Sequence, residues 1–237
     1  MKPYYYIICF AIVFIFGFGT IFIFDATTIN YMCQEDSMYE NLGALFFLYS
    51  SIMFFLTYIR SEGIRLYFFR TQHNVIFMFL AIIFFIGFGE EISWGQRIIG
   101  FEAPAYLKAI NAQEEFNLHN IFSGDRSPVG HNKGGIDMLF NLFWFSYGLV
   151  FPVLNRFSNA AKRFIEKLKI PVIPIWFGCF FPITYLTAKL LNHSTTLVLH
   201  YNSITEVKEF MYAVIFFQIS IYLYIRFVHS SCDTVVE

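Results

Sequence analysis

Two adjacent carboxylates, Glu90 and Glu91, close a run from Asn74 to Gly89 that carries no charge, and Ser93, Trp94, Gln96 and Arg97 follow within six residues. A charged side chain costs roughly 2.5–3.5 kcal/mol at mid-membrane on insertion scales, so such groups face a bundle interior or a wet cavity and are the first candidates for function. Downstream comes a second polar cluster, Asn111, Gln113, Glu114, Glu115, Asn117, His119 and Asn120, and beyond it His131, His193 and His200. Carboxylates and neutral imidazoles together make zinc or other divalent-metal sites and general acid/base pairs. The candidate catalytic residues are therefore Glu90, Glu91, Arg97 and His119, and the candidate metal ligands Glu91, His119, His193 and His200. In that chemistry a metal ion or a buried carboxylate activates water while Arg97 and Gln96 position an anionic group. The spacing is no local metal motif: His193 and His200 are seven apart, where a helical HExxH pair is four apart. Solvated-loop roles for His131 and His200 stand beside this reading.

A continuous helix through the motif puts Glu90, Ser93, Trp94 and Arg97 on one face at i, i+3, i+4 and i+7, with Glu91 about 100° away. Arg97 then sits two turns, about 10.5 Å, beyond Glu90. The plainer alternative is an interfacial cap, with Trp94 in the aromatic belt, Arg97 at the headgroups and the acids paired to them.

The elements that must position these residues are membrane helices. Of 237 residues, 57% are apolar, 22% aromatic and 14% charged, where a soluble domain carries about 25% charged. Apolar runs of about 20 residues are long enough to cross a hydrocarbon layer. This excludes a soluble enzyme, a secreted disulfide scaffold and a disordered chain. There is no basic nucleic-acid stripe or RNA-binding motif, so no nucleic-acid partner is expected. Cys9, Cys33, Cys179 and Cys232 lie in separate segments without CxxC spacing. They offer no disulfide framework and no zinc knuckle. The expected fold is all-α: a single helical bundle of six spans over about 4–24, 42–59, 74–94, 138–155, 171–191 and 210–226, with one long outer loop over about 96–137. The first run is longer than a signal-peptide core, and it reads as an anchor. Pro104 is placed to open a short helix in the outer loop, and Pro174 and Pro182 to kink the fifth span.

Orientation follows from Lys and Arg counts. Lys2, Arg60, Arg65, Arg70, Arg156, Lys162, Arg163, Lys167, Lys169 and Arg226 lie on one side with only four acids, while the other side has six bases and thirteen acids. Positive loops resist translocation, so both termini are expected in the cytoplasm of a bacterial inner membrane, with the motif outside. Phe157 to Lys169 reads as an amphipathic segment along the inner surface, or as a plain positive loop.

Gly89-Glu-Glu-Ile-Ser-Trp-Gly-Gln-Arg97, followed by Asn111-x-Gln-x-Glu-x-Asn-Leu-His-Asn120, resembles the signature of an uncharacterised family of bacterial polytopic membrane proteins. That resemblance implies membership and transfers no reaction. The doublet and Phe116-Asn-Leu-His119 are also similar in part to the CAAX-type intramembrane metalloproteases, which implies Glu91 activating water and His119 holding metal. Here Arg97 follows Glu91 by six residues instead of four, and the Phe-to-His spacing is three instead of four. Alkaline ceramidases are similar only in combining Glu, Ser and several His.

Two functions follow as expectations. One is a membrane hydrolase or transferase acting on a lipid, a lipid-linked or a membrane-embedded substrate. The other is a non-catalytic sensor, channel-like or assembly subunit whose polar cluster is structural. Transport is a third, kept open by Pro152, Pro174 and Pro182.

Overall fold

The computed structural model describes residues 2–33, 37–63, 65–66, 69–111, 114–118, 121, 136–193 and 201–233, with backbone only at 65–66, 69–70, 97, 136–137, 201–202 and 228–233. The regular structure of the described residues is helical, apart from one antiparallel pair of two-residue strands. In order come α1 (Pro3–Ile23), α2 (Ala26–Met32), α3 (Met38–Arg60), the antiparallel pair β1 (Arg65–Leu66) and β2 (Phe69–Arg70), and α4 (Val75–Glu91). After a one-turn 3-10 segment (Ser93–Gly95) follow α5 (Gln96–Ile99), α6 (Ala105–Ile110) and α7 (Ile136–Phe145). A π turn over Ser146–Val150 leads into α8 (Phe151–Phe157), then α9 (Asn159–Lys167), α10 (Ile175–Gly178), α11 (Phe180–His193) and α12 (Tyr201–Asp233).

Among the described residues, four helical stretches are long and apolar enough to cross a membrane: Pro3–Ile23, Met38–Arg60, Met138–Phe157 and Ser203–Phe227. Their outward faces agree with that solvent. Ile15, Phe16, Phe22 and Ile23 of α1 are exposed, as are Met138, Leu139 and Leu142 of α7. A contiguous apolar surface on that scale is rare in water.

The core is organised around α12, which packs against α1, α3 and α11, while α3 also packs along α4. Val207, Met211, Ala213, Ile215, Phe216, Ile219 and Leu223 are fully buried, so the middle of α12 is largely apolar because it is covered by its neighbours. Phe216 is the hub, with ring centroids 4.8–6.0 Å from Phe84, Phe140, Phe143 and Phe181. Such offset and edge contacts add roughly 0.5–1.5 kcal/mol each beyond area burial.

Several element boundaries have local causes. Asn74 starts α4 by accepting from Ile76 N, and its Nδ2 donates to Lys169 O at 2.8 Å, tying this end of α4 to the exit of α9. The expected fifth span begins at Ile175 instead of 171, because Pro171 and Pro174 hold the preceding backbone extended. It is divided at Cys179, where Pro182 has no N–H to give Gly178 O. At that break Gly178 comes so close to Gly148 of the π turn that a Cβ would overlap the Gly148 carbonyl oxygen. The amphipathic stretch after Phe157 is helix α9, and Pro104 does precede a short helix, α6.

Candidate functional site

Helix α4 stops at Glu91 instead of continuing to residue 94. Ser93, Trp94 and Gly95 then take φ values of 46°, 53° and 76°, three successive left-handed residues. This conformation costs an L-residue roughly 1–2 kcal/mol, so Ser93 and Trp94 are held there by their contacts. The expectation of one helical face through Glu90, Ser93, Trp94 and Arg97 is therefore corrected. The turn lays the Trp94 indole on Gly89, where a Cβ would stand 2.9 Å from two ring carbons. Only a glycine one residue before the acidic doublet permits that approach. Trp94 Nε1 donates to Glu90 Oε1 at 2.8 Å.

The second cluster of the sequence closes on this turn. Leu118 N donates to Glu90 Oε2 at 2.6 Å, and Phe116 N donates to Gln96 Oε1 at 2.6 Å. Ser93 Oγ donates to Glu115 Oε2 at 2.6 Å, and Asn117 Nδ2 donates to the same carboxylate oxygen at 2.7 Å and to Ser93 Oγ at 3.0 Å. Asn111, with no exposed surface, organises the segment from behind: its Nδ2 donates to Asn117 O and Oδ1, and its Oδ1 accepts from Glu115 N. Glu114 takes φ 62° to bend the chain there. The Phe116 ring meets Phe101 edge-on at 5.5 Å. Glu90, Ser93, Asn111, Glu115 and Asn117 are all buried. Hydrogen bonds to charged groups are worth roughly 1.5–3 kcal/mol each, and leaving such a group unsatisfied costs more, so this network is bonded tightly or not formed.

Glu91, on the next position, faces another element. It is within electrostatic range of Glu206 on α12, as are Glu40, Glu209 and Lys208. The end of α4, the start of α3 and the start of α12 therefore place their acids within one another's field. Ser203 Oγ donates to Asn30 Oδ1 at 2.9 Å and brings α2 into the same corner. Burial, aided by the Glu206 charge and opposed by a bond to Ser203, pushes the Cys33 thiol up to about 12.

Of the residues expected to do chemistry, the fold brings Glu90 to the turn and Glu91 to the α3–α12 corner. Arg97 lies on α5, with only its backbone described. His193 is exposed at the last residue of α11. His119, His131 and His200 lie outside the described residues. Among the described residues, no three His, Cys, Asp or Glu side chains are grouped to hold a metal ion. Reading the chain alone put Asn111, Glu115 and Asn117 in one cluster and missed that Ser93 is its anchor. It also missed the meeting of Glu91 with Glu206, which are 115 positions apart in sequence.

In comparisons with known proteins, no family model, curated protein or solved structure matches this chain.

Proposed function

We propose that this chain is a multi-pass membrane protein whose motif builds a non-catalytic cap on the outer end of the helical bundle, in the manner of an assembly subunit. The observation that carries this reading is the bonding of Glu90. Each of its two carboxylate oxygens accepts from a neutral N–H of the chain itself, one from Trp94 and one from Leu118. Those two bonds fix the carboxylate and staple the chain beyond α6 to the end of α4. The cap also turns Ile98, Ile99 and Tyr106 outward, an apolar surface suited to the membrane boundary or to a neighbouring membrane protein. In this reading α4 and the α10–α11 pair complete six spans, both termini are cytoplasmic in a bacterial inner membrane, and the chain belongs to the polytopic family whose signature it resembles. The charge asymmetry and the length of α4, about 25 Å at 1.5 Å per residue, support this arrangement.

The test is a purified Glu90→Gln protein beside wild type. The expected result is a lower melting temperature in both the presence and absence of chelator, with no metal in either protein. Stoichiometric metal that is lost on Glu91→Ala would overturn the reading.

One observation favours the enzyme instead: strained left-handed residues cluster at functional sites, and Ser93 and Trp94 are two in succession. In that reading Glu91, His119, His193 and His200 gather zinc or another divalent ion, Arg97 steers an anionic group, and a lipid or membrane-embedded substrate is hydrolysed or transferred. The same metal analysis decides between them.

A further inference from the structure

A cavity of about 260 Å³ opens between α11 and α12, lined by Tyr185, Ala188, Lys189, Asn192, Thr205 and Lys208. It takes no part in the Glu90 network. Two lysines, one from each helix, line it, and no carboxylate is among the described lining residues. Glu209 pairs with Lys208 at 3.3 Å from outside the lining, whereas Lys189 makes no ion pair among the described residues. Tyr185, Asn192 and Thr205 add polar groups able to donate to an anion. Tyr185, Ala188, Lys189 and Asn192 recur at i, i+3, i+4 and i+7, so they form one stripe along α11. Ile183, Leu186 and Leu190 form a second stripe beside it, and all three are exposed. A polar recess with two cations therefore adjoins an apolar face that reaches toward the hydrocarbon.

We infer that this cavity binds the phosphate of an anionic phospholipid, with the headgroup between Lys189 and Lys208 and an acyl chain along Ile183, Leu186 and Leu190. Ammonium groups bind phosphate as point charges with three donors each. Both act at the edge of the apolar layer, where water screens them less than in bulk. The inference is independent of the cap's role, since its residues and those of the Glu90 network do not overlap.

The experiment uses the full chain reconstituted in nanodiscs containing phosphatidylglycerol and phosphatidylcholine, followed by native mass spectrometry of retained lipid. Parallel titrations use glycerol phosphate with the protein in phosphatidylcholine alone. Wild type is expected to retain phosphatidylglycerol about tenfold over phosphatidylcholine. Lys189→Gln with Lys208→Gln is expected to abolish that preference, and Lys189→Arg with Lys208→Arg to keep it. Saturable binding of glycerol phosphate, lost in the same Gln variant, supports the phosphate site with a soluble ligand as its source. The single Lys189→Gln change, at an exposed position, gives the same reading if the double variant unfolds. Two results overturn the inference: no preference for phosphatidylglycerol together with no glycerol phosphate binding, or a preference unmoved by the Gln variants and removed instead by Lys162→Gln with Arg163→Gln on α9.

Discussion

The Trp94 indole lies on the bare Cα of Gly89 while its Nε1 donates to Glu90 at 2.8 Å. One aromatic side chain thus covers the residue before the doublet and bonds to the first carboxylate of the doublet. Packing and hydrogen bonding depend on each other here, because the ring reaches Glu90 only if position 89 has no side chain.

Gly89→Ala is therefore expected to do more than add a methyl group. The new Cβ displaces the ring, and overpacking of this kind costs roughly 1–3 kcal/mol, with the Glu90 bond lost as well. Thermal unfolding in detergent should show a lower midpoint. Trp94→Phe keeps a ring over Gly89 but has no N–H, and should lose about 1–2 kcal/mol. A Gly89→Ala protein as stable as wild type would show that the ring does not hold the turn.

Ser93 and Glu115 should behave as a coupled pair. Ser93→Ala removes the donor at 2.6 Å and Glu115→Gln weakens the acceptor, so the double variant should lose less than the sum of the two. The coupling expected for directly bonded buried groups is about 0.5–3 kcal/mol in a double-mutant cycle. Ser93→Gly adds a control, since glycine relieves the φ of 46° while still removing the hydroxyl. Additive losses would separate the two side chains.

Cys33 gives a pH prediction. A thiol near 9 in the unfolded chain and about 12 when folded keeps its proton in the folded state across that window. The folded state then binds more protons, so this group's contribution to stability falls as pH rises from 9 toward 12. In a protein with Cys9, Cys179 and Cys232 changed to Ser, alkylation at pH 8 should be slow until denaturant is added. Rapid labelling of the folded protein at pH 8 would contradict the burial that raises this thiol.

The proposed topology makes a separate prediction. Single cysteines replacing Glu62 and Lys167 should react with a membrane-impermeant maleimide only after spheroplasts are broken open, and one replacing Glu102 should react in intact spheroplasts. All three residues are on short connections or exposed helices. Labelling of Glu62→Cys from outside would invert the orientation.

The chain by itself determined the class of structure. Apolar runs identify helices long and apolar enough to cross a membrane, because hydrocarbon must be crossed by residues that do not need water, and that property is local. Asn74 as a helix start, Pro104 before a short helix and the prolines that interrupt 171–182 were legible for the same reason: caps and proline sterics act within a few residues. The sequence also drew attention to Glu90, Glu91 and the polar cluster from Asn111 to Asn120, because charge in such a chain is costly wherever it stands.

What it left undecided depended on distance. A helical repeat carried Glu90, Ser93, Trp94 and Arg97 onto one face. The bonds that Ser93, Trp94 and Gln96 make to Glu115, Glu90 and Phe116 turn the backbone left-handed and end the helix at Glu91. Those bonds join segments about 20 residues apart or a side chain to the turn behind it, and no periodicity encodes them. The meeting of Glu91 with Glu206, and of Lys189 with Lys208 around a cavity, came from the packing of α12 against its neighbours. Only the tertiary structure brings such positions together, because burying the apolar middle of α12 fixes which helix ends become adjacent.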